Sequence, residues 1–230
     1  MAQELEILNN ETHRNLRMRP DPSGPSPHFV TITTEEFHIA AITCPIFFAK
    51  DSGTGEFYAA ALFGFQPGEL LVDQDRSGKP VFQPLDFRRQ GFFIADDGIA
   101  IDSAHARFDL VATDPLFEED GNPSEALRRI QRVVGQLATG MQATRAFIAE
   151  LLRLNLIEPI DISLKFDDGE ELTLNGLYTI SRDNLRDIHD NDTIALFRSG
   201  YLQAAWTMSL SVNQVATLAR RRNERLAAKP

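Results

Sequence analysis

Between Asn122 and Ile180 the hydrophobic rhythm of the chain changes once, from a spacing of seven to a spacing of two. Leu127, Val134, Met141 and Ile148 recur every seven residues, with Ile130, Leu137, Thr144 and Leu151 between them. At 3.6 residues per turn these positions form one apolar stripe along a helix of roughly eight turns. Asn122 offers a side-chain acceptor to the first turn, and Pro123 suits the first helical position, where a missing N–H costs nothing. The pattern stops at Asn155 and Pro159 forbids more helix, so the spacing predicts a helix over residues 123–155. Its buried side is expected to carry Leu127, Ile130, Val134, Leu137, Met141, Ile148 and Leu151. Next, Ile160, Ile162, Leu164 and Phe166 alternate with Asp161, Ser163 and Lys165. Asp168-Gly169 turns the chain and Leu172 and Leu174 return, which reads as a β-hairpin.

The N-terminal half alternates short apolar runs with turn signals. His28 to Thr33, Pro45 to Lys50 and Phe57 to Phe65 read as strands, with Asp51 to Gly55 as the turn between the last two. Leu70 to Val72, Val81 to Phe82, Phe92 to Ile94 and Ile99 to Ile101 continue the series, and Thr34 to Phe37 suits a single helical turn. Such spacing predicts a largely antiparallel, meandering sheet. Residues 103–121 read as an acidic loop. After the hairpin, Ser181 and Asp192 are expected to cap short helices, with Gly200 ending the second. Ala205, Met208, Val212, Val215 and Ala219 then fit a C-terminal helix, whose final Arg220, Arg221, Arg222, Arg225 and Lys229 suit its negative dipole end. Residues 1–27, with Pro20, Pro22, Pro25 and Pro27, are expected to be an extended arm. No linker divides the rest. The expectation is an α+β fold with a single domain over residues 28–230, the long helix, hairpin and C-terminal helices packing on the sheet.

Charge narrows the partners. The chain has 23 basic and 33 acidic residues, a formal net charge of −10. Nucleic acid and anionic membrane surfaces both reward basic patches, so neither is expected as a partner. No run approaches the roughly 18 apolar residues of a membrane span. The N-terminal stretch lacks the apolar core of a secretory signal, which predicts a cytoplasmic protein unless a signal-independent route exports it. One cysteine, Cys44, excludes an internal disulfide and a thiolate zinc cluster.

Candidate chemistry is sparse. Among the five histidines no two stand four residues apart, and HExxH is absent, so no metal or other cofactor is expected. No nucleophile-elbow or phosphate-loop signature occurs; Gly53 and Gly55 bracket a threonine in a turn. Asp102, His105, Arg107 and Asp109 gather a carboxylate, an imidazole and a guanidinium within eight residues. They suit a general-base pair or an anion clamp, or simply local ion pairs on a solvated loop. Arg88 and Arg89 flank aromatic residues and suit either an acidic ligand or packing by their stems. Arg145 follows Thr144 of the stripe by one position, at the edge of the apolar face. A guanidinium there is expected to find a structural acceptor from the neighbouring sheet, with an acidic ligand group as the alternative.

The order of these pieces resembles a known family. Ile46-Phe47-Phe48-Ala49-Lys50-Asp51, Thr54-Gly55-Glu56-Phe57, Ala61-Leu62-Phe63-Gly64-Phe65 and Arg88-Arg89-Gln90-Gly91-Phe92 come first. Ala143-Thr144-Arg145-Ala146-Phe147, Leu156-Ile157-Glu158-Pro159, Gly176-Leu177-Tyr178-Thr179-Ile180 and Gly200-Tyr201-Leu202-Gln203-Ala204 follow. Together they look like the bacterial SapC family, named for an S-layer-associated protein. The resemblance carries over no catalytic residues. It implies an accessory role linked to surface-layer or outer-membrane receptor and ligand-uptake systems. Two readings lead, ahead of a third, a structural surface-layer component that would need export without a cleaved signal. One is a non-enzymatic binding or accessory protein with a protein or small-molecule partner. The other is an enzyme of unrecognised type, with a pocket between the N-terminal sheet and the long helix built from Arg88, Asp102, His105 and Arg145. Neither composition nor motif fixes an oligomeric state.

Overall fold

Ser124, and not Asn122, starts the long helix. Its hydroxyl accepts the backbone N–H of Leu127 at 3.1 Å, while the Asn122 amide donates to Asp120 instead. The helix runs Glu125–Arg153 in the computed structural model, which describes residues 5–20, 27–95, 98–108 and 112–228. It ends where the pattern stops. Asn155 takes φ of 55°, the N–H of Leu156 reaches the carbonyl of Leu151 at 2.8 Å, and that of Asn155 reaches Leu152 at 3.1 Å. These two bonds satisfy carbonyls that the helix end would otherwise leave open.

The architecture is α+β with antiparallel sheets. In chain order the first elements are β1 (Leu5–Ile7), β2 (Arg17–Met18), β3 (Phe29–Thr31), a 3-10 turn (Thr34–Glu36) and α1 (Phe37–Thr43). Then come β4 (Ile46–Lys50), β5 (Phe57–Leu62), α2 (Leu85–Arg88), β6 (Phe92–Ala95), β7 (Gly98–Asp102) and β8 (Asp114–Pro115). The long helix is α3, followed by β9 (Ile157–Lys165), β10 (Glu171–Ile180), α4 (Arg182–Asp187), α5 (Asp190–Arg198), α6 (Tyr201–Ser211) and α7 (Gln214–Ala227).

Several expectations shift. Residues 5–20, expected within an extended arm, carry two strands; residues 1–4 and 21–26 of that arm lie outside the described residues. Leu70 to Val72 and Val81 to Phe82 form no strand, and an isolated bridge between Gln74 and Pro80 stands there instead. The helix after α4 starts at Asp190, two residues before Asp192. The C-terminal helix is two helices, broken near Val212-Asn213.

The chain divides into two compact units, residues 1–25 with 83–139 and residues 26–82 with 140–230. The first unit holds the sheet β1-β7-β6 and the pair β2-β8. Phe92, Ile101, Phe108 and Leu116 pack there with Leu127, Ile130 and Val134 of the helix. The second unit holds the five-stranded sheet β3-β5-β4-β10-β9. Phe147 of α3, fully buried, meets Phe37 at 6.1 Å, Phe48 at 6.1 Å and Tyr201 at 5.3 Å between ring centroids. Such tilted and edge-on contacts add to the area each ring removes from water. At the far end of the hairpin Arg222 of α7 is buried over the Phe166 ring, 2.7 Å from Glu170 and 3.5 Å from Glu69. Arg221 reaches Asp73 at 2.6 Å and Arg220 reaches Glu224 at 2.6 Å. Arg221 and Arg222 therefore fasten α7 through carboxylates, beyond any dipole effect, while the Arg220 pair lies within the helix and Lys229 lies outside the described residues.

Candidate functional site

In the second unit the 3-10 turn before α1 and the second half of α3 come together through small residues. The N–H of Thr34 donates to Oγ1 of Thr144 at 2.9 Å, and that hydroxyl donates to the Gly140 carbonyl at 2.7 Å. A Cβ on Gly140 would stand 2.7 Å from Cγ2 of Thr33, so only glycine permits this approach. Thr33 is itself fixed: its N–H and hydroxyl both donate to the Glu36 carboxylate, at 2.9 and 3.0 Å. This capping box positions the turn against the helix.

Beside this junction lies a groove of about 470 Å³ between β3, β5 and α3. Phe57, Met141 and Ile148 give it an apolar floor, and Thr144 and Arg145 border it on the helix side. Met141 was expected to be fully buried; it is half-buried because it faces this opening. Arg145 is exposed and, among the described residues, has neither a hydrogen bond nor an ion pair. The structural acceptor expected for it is therefore absent. Where the stripe's edge meets the groove, no sheet carboxylate or carbonyl among the described residues bonds to it.

The other rim is the turn after β4. Oδ1 of Asp51 accepts the N–H groups of Gly53 and Thr54 and the Thr54 hydroxyl, at 3.0, 2.8 and 3.1 Å. The Thr54 N–H leads these bonds, which hold the carboxyl below its ordinary range, so it is charged at neutral pH. The Glu56 carboxylate, exposed on the same rim, has no partner among the described residues. Burial first, then the charge of Asp51, pushes the Tyr58 hydroxyl above its usual range and keeps it protonated. Phe57 is held by Tyr178 edge-on at 4.8 Å, with the Lys50 ammonium 4.9 Å from its centroid.

The remaining sequence candidates sit in the first unit and do different work. Arg89 binds Asp86 at 2.6 Å, donates to the Phe92 carbonyl at 2.8 Å and lies over Phe93. Arg88 is exposed on α2. Oδ1 of Asp102 accepts the Ala104 N–H at 3.1 Å, and Nδ1 of His105 accepts the Arg107 N–H at 3.1 Å. With Nδ1 accepting, the imidazole carries its proton on Nε2. Burial lowers its pKa most; Asp102 pulls it up and Arg107 down. Among the described residues no hydrogen bond joins the Asp102 carboxylate to the ring, so the general-base pair does not form. Arg107 is 1% exposed. It donates to the carbonyls of Arg19, Pro20, Arg88 and Gln90 at 2.8–3.3 Å. That makes it a staple. Asp109, the fourth member of the cluster, lies outside the described residues.

The groove in the second unit contains Arg145 and none of Arg88, Asp102 or His105. What sequence reasoning missed was the turn side: Asp51, Glu56 and Tyr58 were legible only as a hairpin, though Thr54-Gly55-Glu56-Phe57 stood among the family blocks. Among the described residues no three metal-ligating side chains cluster, and no helix is long and apolar enough to cross a membrane.

The family model for SapC matches residues 8–218, and the chain belongs to the SapC family. Neither the curated proteins nor the solved structures yield a match.

Proposed function

We propose that this SapC-family chain is a non-enzymatic binding or accessory protein. Its site is the groove beside Arg145, and its ligand has one acidic head and an apolar body. The observation that carries this reading is Arg145 itself, an unpartnered guanidinium bordering an apolar-floored groove. Arginines that serve this fold are engaged, as Arg89 is with Asp86 and Arg222 with Glu170. A volume of about 470 Å³ suits a small molecule, since ligand pockets run from about 300 to 1,000 Å³. Asp51 and Glu56 on the same lining repel a second acidic group, which selects a single-headed ligand. An enzyme has less support here. The described lining contains no histidine or cysteine, and the Asp51 carboxylate is engaged in its own turn. The link to surface-layer or outer-membrane receptor and uptake systems belongs to the same proposal and rests on the family resemblance; a cytoplasmic location is proposed with it.

Calorimetric titration with hexanoate and with hexanol tests it. A charge-assisted hydrogen bond contributes about 1.5–3 kcal/mol, so the parent chain should prefer hexanoate by about tenfold or more. Arg145→Met should erase that preference while leaving hexanol unaffected. Equal binding of acid and alcohol by the parent, or an undiminished preference in the variant, would overturn the reading.

A further inference from the structure

The first unit holds a small cavity whose lining runs against the charge of the chain. Arg88, Arg107, Arg129 and Gln83 border it, with Ile130 and Val133 on the helix side. The whole chain has a net charge of −10, yet three guanidinium groups and no carboxylate line this space among the described residues. Like charges gathered round one opening repel, and a bound anion relieves that repulsion. The three arginines stand differently. Arg107 is buried and its donors are directed at four backbone carbonyls, so it supplies a fixed positive floor. The exposed Arg88 guanidinium has no hydrogen bond or ion pair among the described residues. Arg129 is more than half exposed and approaches Asp114 only at 3.8 Å, near the limit of an ion pair.

We infer that this cavity binds a phosphoryl group, with the planar forks of Arg88 and Arg129 donating to its oxygens and the Gln83 amide beside them. Guanidinium forks match phosphate oxygens in pairs, which a single ammonium does not. The volume, about 190 Å³, is that of about six waters at ~30 Å³ each, too small for a whole drug-sized ligand. It takes a phosphate head and leaves any organic remainder outside. The site is independent of the groove beside Arg145.

Thermal melts of the full chain in inorganic phosphate test this, with chloride added so that ionic strength stays constant. Phenyl phosphate and acetate run as parallel arms. Phosphate should raise the midpoint, and acetate at the same concentration should not. Arg88→Met and Arg129→Met should each weaken the phosphate dissociation constant by about tenfold or more. Both change exposed side chains, and far-UV circular dichroism checks that the fold is kept. A larger shift with phenyl phosphate supports the site and identifies an organic phosphate as its ligand; an equal shift supports it and identifies free phosphate. No shift beyond chloride, an equal shift with acetate, or both variants responding like the parent would overturn the inference.

Discussion

Arg107→Met should destabilise the first unit by about 3 kcal/mol or more, although the side chain touches no ligand in the proposed groove. Its guanidinium serves the carbonyls of Arg19, Pro20, Arg88 and Gln90 at once. The four bonds are partly buried, a carbonyl left without its donor costs up to roughly 1–3 kcal/mol, and methionine replaces the packing but none of the bonds. Arg107→Lys should recover only part of the loss, because one ammonium cannot reach partners spread over a planar fork. Urea melts of the three chains check this. A methionine variant within about 0.5 kcal/mol of the parent would mean that the carbonyls are satisfied some other way.

Phe147→Ala should cost about 3–5 kcal/mol, the range for emptying a buried aromatic site. The ring is fully buried and touches Phe37 from α1, Phe48 from β4 and Tyr201 from α6, so its loss opens a cavity where helix, strand and helix meet. Phe37 and Phe48 are themselves buried in the packed core, so the site cannot simply collapse inward. The control is Phe197→Ala on α5, where the ring is 73% exposed and the change should stay within about 0.5 kcal/mol. Equal losses at the two positions would mean that the packing round Phe147 is not as described.

The contrast between these residues explains what the sequence could say. Phe147 stood next to a stripe whose 3.6-residue period is a direct image of helix geometry, so the helix and most of its buried face were legible. The hairpin was legible for the same reason, through its period of two. β1, β2 and β8 were not, because two or three residues carry no period at all. The 3-10 turn was legible but α1 after it was missed: seven residues, mostly apolar and two of them exposed isoleucines, show no clean face. Arg107 was visible as part of a charged cluster, but its partners are backbone carbonyls, and carbonyls carry no sequence signature. Arg145 was correctly set at the stripe's edge. Whether that edge meets a sheet or an opening depends on β5 and its turn, which come some ninety residues earlier.

That opening is the proposed binding site. The direct measurement is an amide NMR titration of the full chain, labelled with nitrogen-15, with hexanoate as the probe. The account predicts shifts that saturate and concentrate at Thr31, Phe57, Tyr58, Thr144, Arg145 and Ile148, the residues bordering the groove. The same titration of Arg145→Met should need about tenfold more hexanoate. Shifts scattered over the chain, shifts gathered at another surface, or identical curves for parent and variant would contradict it.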